Sequence, residues 1–345
     1  VEADRPMKPP VIADVARVAG VSVPTVSRVL SGSVPVGPER RARVMAAIKE
    51  LGFRPNGAAR ALATGGQPMI AVFAGDTTRY GYASTLQGIE EAARQAGYMV
   101  VISVVETDDR RTVDAAIDHA LGQPMAGAIV LEYDPPGVAA LAAIPPWLPV
   151  VAAASGRPSD EEVAHAFMDD RFAAARATKH LLEIGHHTVH HVAIPSPGRP
   201  SARLLGWRDA LTEAGAPEPP VLYADWAPDS GYDAGTRLAR DPDVTAVLCG
   251  NDELAMGLTK GLADAGRRVP EAVSVIGFDD HPLSHLWTPP LTTVRQDFVR
   301  LGQKAFQLLN MQIDSGTVPA SVRFVPDLIL RSSAAPLARR VLDAG

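Results

Sequence analysis

The chain of 345 residues contains a single cysteine, Cys249, so no disulfide can form within it, which fits a reducing compartment. No stretch approaches the roughly eighteen consecutive apolar residues of a membrane-spanning helix. The opening VEADRPMKPP lacks the apolar core of a secretory leader. Together these absences predict a cytoplasmic protein that makes no use of a membrane. Catalytic signatures are missing as well: there is no Gly-x-Ser-x-Gly elbow, no Walker lysine and no His-Glu-x-x-His. The expectation is a protein that is not an enzyme and needs no cofactor. Aromatic residues are sparse at 5%, yet 46% hydrophobic and 21% charged residues exclude a disordered chain. The length allows two or three domains.

The net charge of −6 is unevenly spread. Residues 1–66 carry ten Lys/Arg against five Asp/Glu, a net of +5, and the remainder carries 23 against 34, a net of −11. A basic head on an acidic body suits a protein whose first part meets a polyanion while the rest resists nonspecific adhesion.

Within that head, Val11–Leu30 reads VIADVARVAGVSVPTVSRVL. Ile12, Val15, Ala16 and Ala19 keep helical spacing, and Gly20 stands where a helix would stop. Ser22 is placed as an N-cap and Pro24 falls in the first turn of a second helix. Val26, Val29 and Leu30 turn inward, leaving Val23, Thr25, Ser27 and Arg28 on the other face. Two short helices around a glycine turn form a helix-turn-helix, although for an isolated pair a plain helical hairpin is the favoured reading. A third amphipathic helix follows over Val36–Leu51, opened by Gly37, Pro38 and Glu39.

The ordered set DVARVAGVS, TVSRVL, AAIKELGF and RPNGAARAL resembles the DNA-binding headpiece of the lactose-repressor (LacI/GalR) family of bacterial transcription regulators. That resemblance implies that Val23 and Pro24 read base edges, with Arg28 one turn later able to grip a guanine bidentately. Thr25, Ser27 and Asn56 are suited to phosphate oxygens. The Ala-rich run after Pro55 is too short to hold a helix alone in water. By resemblance it is a hinge helix, at about 55–64, whose Leu62 wedges into the minor groove; otherwise Leu62 would be an ordinary core contact.

Gly65-Gly66-Gln67-Pro68 reads as a linker. Beyond it, strands (Met69–Ala74, Val100–Val105, Ala126–Leu131, Val150–Ala153) alternate with helices (Leu86–Ala96, Thr112–Leu121). A second series runs from helix Phe172–Ile184 through strands Val189–Ile194, Ala246–Cys249 and Val273–Gly277. Its other helices are Arg203–Ala214, Gly231–Ala239 and Glu253–Ala265. Short apolar strands between amphipathic helices imply parallel sheets covered on both faces, in two lobes with a cleft between them. The expected fold is an N-terminal all-α helix-turn-helix headpiece (1–66) plus an α/β core (67–345) of two doubly wound parallel-sheet lobes.

GIEEAARQAGY, HLLEIGHHTV, NDELAMG, SVIGFDD and PPLTTVRQDF extend the family resemblance through this core. It implies a periplasmic-binding-protein-like body whose chain passes three times between lobes. Lobe 1 is then about 67–166 and 297–326, and lobe 2 about 167–296 and 327–345. Leu291–Gln296 becomes the third crossing, with helix 299–313 and strand 322–326 returning to lobe 1.

The same resemblance places Tyr82, Arg203, Trp226, Asn251, Asp252 and Asp279 around a ligand in the cleft. A guanidinium, a carboxylate pair and an indole face suit a pyranose. Trp226 could instead be core, Arg203 a surface charge at a helix N-terminus and Asp280 a capping or crossover contact. The chain departs from the family pattern at Arg79-Tyr80-Gly81-Tyr82, where Asn-Pro-Phe-Phe is common, and at Asp170, which replaces a frequent Asn. Four histidines in His186–His191 suggest metal, but alternating strand directions would split them, and no metal site is expected.

The resemblance as a whole implies a homodimeric repressor that binds double-stranded operator DNA and releases it on binding a small sugar, such as a galactoside or glucoside. A non-sugar ligand, or a ligand acting as corepressor, is the alternative. A sugar-binding protein without DNA, or an enzyme on the same body, would be the competing classes.

Overall fold

The computed structural model describes residues 10–31, 34–53, 68–156, 162–195 and 200–337, which divide into an N-terminal unit and a core beginning at Pro68. In the N-terminal unit α1 (Ile12–Ala19), α2 (Val23–Ser31) and α3 (Pro38–Leu51) enclose a small apolar core. Asp14 accepts from the Val11 N–H at 3.0 Å and so holds the start of α1. Gly20 ends it at φ 61°, a left-handed conformation that favours glycine, and the following Val21 N–H returns to the Ala16 carbonyl at 3.0 Å. Gly52 repeats the device after α3, at φ 60°. Val15, Val26 and Val44, one from each helix, are completely buried and meet Phe53.

The core has two six-stranded sheets. The first has the order β11-β5-β4-β3-β1-β2, all parallel, from β1 (Met69–Ala74), β2 (Met99–Val104), β3 (Met125–Glu132), β4 (Val150–Ala154), β5 (Ala164–Met168) and β11 (Val322–Phe324). The second has the order β12-β10-β9-β8-β6-β7. Its strands are β6 (His190–Ala193), β7 (Leu222–Tyr223), β8 (Ala246–Cys249), β9 (Ser274–Asp279), β10 (Thr292–Arg295) and β12 (Asp327–Ile329), of which only β12 runs antiparallel to its neighbour.

Helices cover both faces of each sheet. In lobe 1, α4 (Tyr80–Gln95) and α11 (Phe298–Ser315) cover one face, while α5 (Arg110–Leu121) and α6 (Pro135–Ala143) cover the other. In lobe 2, α9 (Pro228–Leu238) and α10 (Asp252–Asp264) oppose α7 (Asp170–Glu183) and α8 (Ala202–Ala214). Helix pairs approach at glycines: Gly231 and Gly257 each lie so close to the facing helix that a Cβ would strike its backbone.

The elements follow the expected alternation, with differences that have local causes. α4 begins at Tyr80, six residues before the apolar pattern at Leu86 suggested. β5 and α6 were not anticipated. β5 reads AHAFM, poor in β-branched residues, yet every residue in it is buried. α6 starts with two prolines, which its first turn accepts because Asp134 caps it by accepting from Gly137 N–H at 2.8 Å. The expected third crossing needs correction. Thr292–Arg295 is a strand of the lobe 2 sheet, so the second crossing comes between β10 and α11 and the third between β11 and β12.

Candidate functional site

On the described part of the helix-turn-helix, Val23, Pro24, Ser27 and Arg28 are exposed on α2, opposite the buried Val26 and Val29. Thr25 is half-buried, and its hydroxyl lies 2.9 Å from that of Ser22. The helix therefore keeps an uninterrupted outward strip, as a groove-entering helix needs. Asn56, Leu62 and the hinge segment lie outside the described residues.

In the core, strand order brings the site together. The winding direction reverses between the paired neighbours β1 and β3 in the first sheet and β6 and β8 in the second, and loops at the carboxyl ends of such strands frame a crevice. The candidate residues occupy those ends. Tyr82 lies on the first turn of α4 after β1, Tyr133 directly follows β3, and Ser155 directly follows β4. From lobe 2, Ile194 follows β6, Trp226 follows β7, Asn251 precedes α10, and Asp279 is the last residue of β9. They line an inner compartment with about 40 Å³ of free space, together with Arg203 and Phe298. An outer compartment of about 410 Å³ adjoins it, and Tyr133, Ser155, Ile194 and Arg203 are common to both.

Arg203 is the centre of this arrangement. Capped by Ser201, α8 starts with the side chain 7% exposed and pointing between the lobes. Its Nε donates to Asp170 at 2.8 Å, its Nη1 to the Gly250 carbonyl, and its Nη2 lies 3.3 Å from Asp279. The guanidinium carbon sits 4.1 Å from the centre of the Phe278 ring. Burial opposes its charge, but Asp170 and Asp279 outweigh this and hold its pKa above the ordinary arginine value. Asp170 also accepts from Gln296 Nε2 at 3.1 Å, so both its oxygens are occupied.

Asp279 differs. Its backbone has φ 112°, a region that L-residues rarely adopt, and Oδ1 is buried without a hydrogen-bond partner. Burial raises its pKa well above the usual carboxylate value, with Arg203 acting in the opposite sense. That same Oδ1 is the oxygen paired with Arg203 Nη2 at 3.3 Å.

The other expected residues divide. Trp226 is half-buried with Arg79 stacked 5.0 Å from its ring. Asn251 faces the same compartment but is also the N-cap of α10, accepting from Leu254 N–H at 2.8 Å and donating to the Trp226 carbonyl at 3.2 Å. Tyr82 contributes its ring, because its hydroxyl already donates to Asp134. Asp252 does not line the cavity, which corrects the expectation for it. Its carboxylate turns into lobe 2, where Oδ2 accepts from His281 N–H at 2.7 Å and Ser284 Oγ at 2.6 Å, and Oδ1 accepts from Thr293 Oγ1 at 2.5 Å. It anchors the 281–284 turn. Asp280 takes the crossover role, accepting from Arg295 at 2.8 Å and Arg331 at 2.6 Å.

Sequence reasoning noted Arg79 and Tyr80 only as departures from the family pattern and passed over Tyr133, Glu253 and Phe298; all five line the inner compartment. The last of them closes the PPLTTVRQDF motif, so its signal was present. The four histidines are dispersed. His186 joins Thr245 and Ser274 at 3.0 Å each, His191 is buried against the Leu248 carbonyl at 2.9 Å, and His187 is exposed. Among the described residues no group of three or more His, Cys, Asp or Glu is arranged to hold a metal ion. No helix among them is long and apolar enough to cross a membrane.

Residues 11–56 match the model of bacterial regulatory proteins of the lacI family, and residues 178–334 match a periplasmic binding protein-like domain. Catabolite control protein A of Priestia megaterium is 33% identical over 325 residues, covering 92% of this chain and 97% of that protein. The chain belongs to the LacI family. It is a DNA-binding transcription repressor of that family, built as a helix-turn-helix unit and a periplasmic-binding-protein-like core. Among solved structures, the Lac repressor dimer bound to operator and the anti-inducer ONPF superposes with a TM-score of 0.83 at 29% identity, covering 96% of this chain and all of that one. A complex of the transcriptional regulator CelR with cellobiose gives 0.69 at 30% identity, covering 94% and 100%.

Proposed function

We propose that this LacI-family member binds a two-fold operator as a cytoplasmic homodimer and leaves it when a small sugar enters the cleft. The observation carrying the sugar reading is the convergence of Arg203, Asp279 and Trp226 on one compartment between the lobes. Carboxylate and guanidinium match vicinal hydroxyls, and an indole or phenyl face matches the C–H face of a pyranose. The likeness to a cellobiose complex supports the same ligand class.

In this mechanism Arg28, Val23 and Pro24 read the operator, and Thr25, Ser27 and Asn56 hold its phosphates. Leu62 of the hinge segment wedges between base steps. The sugar is gripped from both lobes at once, by Tyr82 and Phe298 on one side and Arg203, Trp226, Asn251 and Asp279 on the other. It therefore favours one interlobe angle, and operator favours another. Each ligand then weakens the other by the same coupling free energy. The test is operator binding by fluorescence anisotropy while mono- and disaccharides are titrated. A sugar that releases the parent should fail to release Asp279→Ala, which still binds operator. Release of both at equal concentrations removes Asp279 from the effector site.

A further inference from the structure

Arg79 stands at the N-cap of α4, and nothing local explains it there. That position favours Asn, Asp, Ser or Thr, whose short side chains accept from the first free N–H groups, and the positive end of a helix repels a cation. Arg79 makes no such cap bond. Asp76 stiffens the turn in its place, accepting from the Thr78 and Arg79 N–H groups at 2.6 and 3.3 Å. Asparagine is the common residue at this point of the family pattern. A choice that costs the helix its cap points to a role elsewhere in the fold.

The side chain crosses the cleft. Its guanidinium carbon, from lobe 1, lies 5.0 Å from the centre of the Trp226 ring, which packs against the apolar core of lobe 2. Asp225 and Glu253 of lobe 2 attract the same guanidinium, and Asp76 of lobe 1 holds it at 3.3 Å. Tyr80 makes a second crossing, its ring edge-on to His281 with centres 5.0 Å apart. These contacts leave the inner compartment about 40 Å³, room for a few water molecules, whereas small-ligand sites measure roughly 300–1,000 Å³. A pyranose stacked on the Trp226 indole and the Arg79 guanidinium therefore compete for one place.

We propose that Arg79 is a built-in occupant of the sugar subsite: it covers Trp226 and ties the lobes together until an effector expels it. The inference rests on the sugar reading above, because it takes Trp226 as the stacking platform. A partly exposed cation–π contact favours the covered state by roughly two- to five-fold. The binding-competent fraction is then about one-sixth to one-third, and apparent affinity falls in proportion. Arg79 thereby sets a threshold that a ligand must outweigh before the site opens.

The experiment compares the full-length parent with two variants. Arg79→Asn supplies a helix cap but is too short to reach Trp226, and Arg79→Lys keeps the charge without the planar face. The first readout, without sugar, is acrylamide quenching of Trp226 fluorescence, isolated by subtracting the same protein carrying Trp226→Phe. The Trp226 quenching constant should at least double in Arg79→Asn. The second is calorimetry with glucose, galactose, ribose, cellobiose and lactose. A sugar that binds the parent should bind Arg79→Asn about three- to six-fold more tightly, with Arg79→Lys between them. Thermal denaturation checks that each variant is folded, and either one alone carries the comparison. Unchanged quenching overturns the cover. Unchanged sugar affinity overturns the competition, and weaker binding overturns it by making Arg79 a ligand contact. No sugar binding to either protein, with Trp226 uncovered in the variant, removes the sugar reading and leaves the cover standing.

Discussion

Replacing Arg203 with Met tests whether the cleft is held together by its central ion cluster. The guanidinium is buried, bonds Asp170 and the Gly250 carbonyl, and lies over Phe278. Methionine fills much of the volume but supplies no donor. Asp170 would be left as a buried carboxylate with only Gln296, and Asp279 would lose its nearest cation. Breaking one partner out of a buried pair costs about 3–5 kcal/mol, and that is the expected loss for Arg203→Met. Adding Asp170→Asn removes the stranded charge while keeping an acceptor for Gln296. The double variant should recover about 2 kcal/mol of the loss, with the Gly250 carbonyl still unsatisfied and accounting for roughly 1–3 kcal/mol of what remains. The assay is urea unfolding of the parent, both single variants and the double variant, followed by far-UV circular dichroism. A single variant within about 1 kcal/mol of the parent would show that the guanidinium is solvated rather than structural. A double variant less stable than Arg203→Met would refute the stranded-charge account. Loss of effector response in any Arg203 variant therefore has meaning only beside its unfolding curve.

Three other outcomes follow from the same geometry. Arg28→Ala should cost about 1–3 kcal/mol on the cognate operator and less on random DNA, measured by anisotropy; equal losses on both would make Arg28 a phosphate contact. Trp226→Ala should raise the sugar concentration needed for operator release while leaving operator affinity in the absence of sugar unchanged, and a parallel loss of operator binding would make Trp226 a structural residue. His191, buried against Trp207, has its pKa pushed down by burial from 6.5 to about 4. The unfolded chain therefore binds more protons between those values, and stability should fall as pH drops from about 6.5 to 4, by roughly 3 kcal/mol for this group. His191→Asn, which can still donate to the Leu248 carbonyl, should flatten that part of the pH profile in urea titrations; an unchanged slope would place the proton uptake elsewhere.

The parts of the chain that could be read in advance were those where a local rule and a tertiary role coincide. Gly20 had to be left-handed to turn α1 into α2, and the apolar spacing of Val15, Ala19, Val26 and Val29 already defined the buried side. Strand β1 was equally plain, because MIAVFA is apolar throughout and bounded by Pro68 and Gly75. β5 was not legible, since alanine and histidine carry little strand preference and only its place between β4 and β11 makes it one. Within the site, Arg203 and Asp279 stood out by motif, but the direction of Asp252 did not. Asn251 and Asp252 are adjacent at a helix start, where successive side chains diverge; which of them faces the cleft depends on Thr293 and Ser284, more than thirty residues away.

The three passages of the chain between the lobes also bear on how the protein is made. Neither lobe is continuous in sequence: lobe 1 waits for α11 and β11, and lobe 2 waits for β12 and the segment at 331–337, whose Ser333 carbonyl accepts from Val275 N–H at 2.8 Å. On the ribosome, the first five strands of lobe 1 emerge long before the helix that covers Ile89 and Met168. At about 5–20 residues per second, the roughly 150 residues from β5 to the end of α11 leave that apolar face uncovered for about 7–30 s. The three-helix N-terminal unit, by contrast, is complete by Phe53 and can fold as soon as it clears the exit tunnel. A chain stalled or truncated before α11 would therefore present a finished DNA-reading unit attached to an adhesive, half-built body, a natural target for chaperones and proteases.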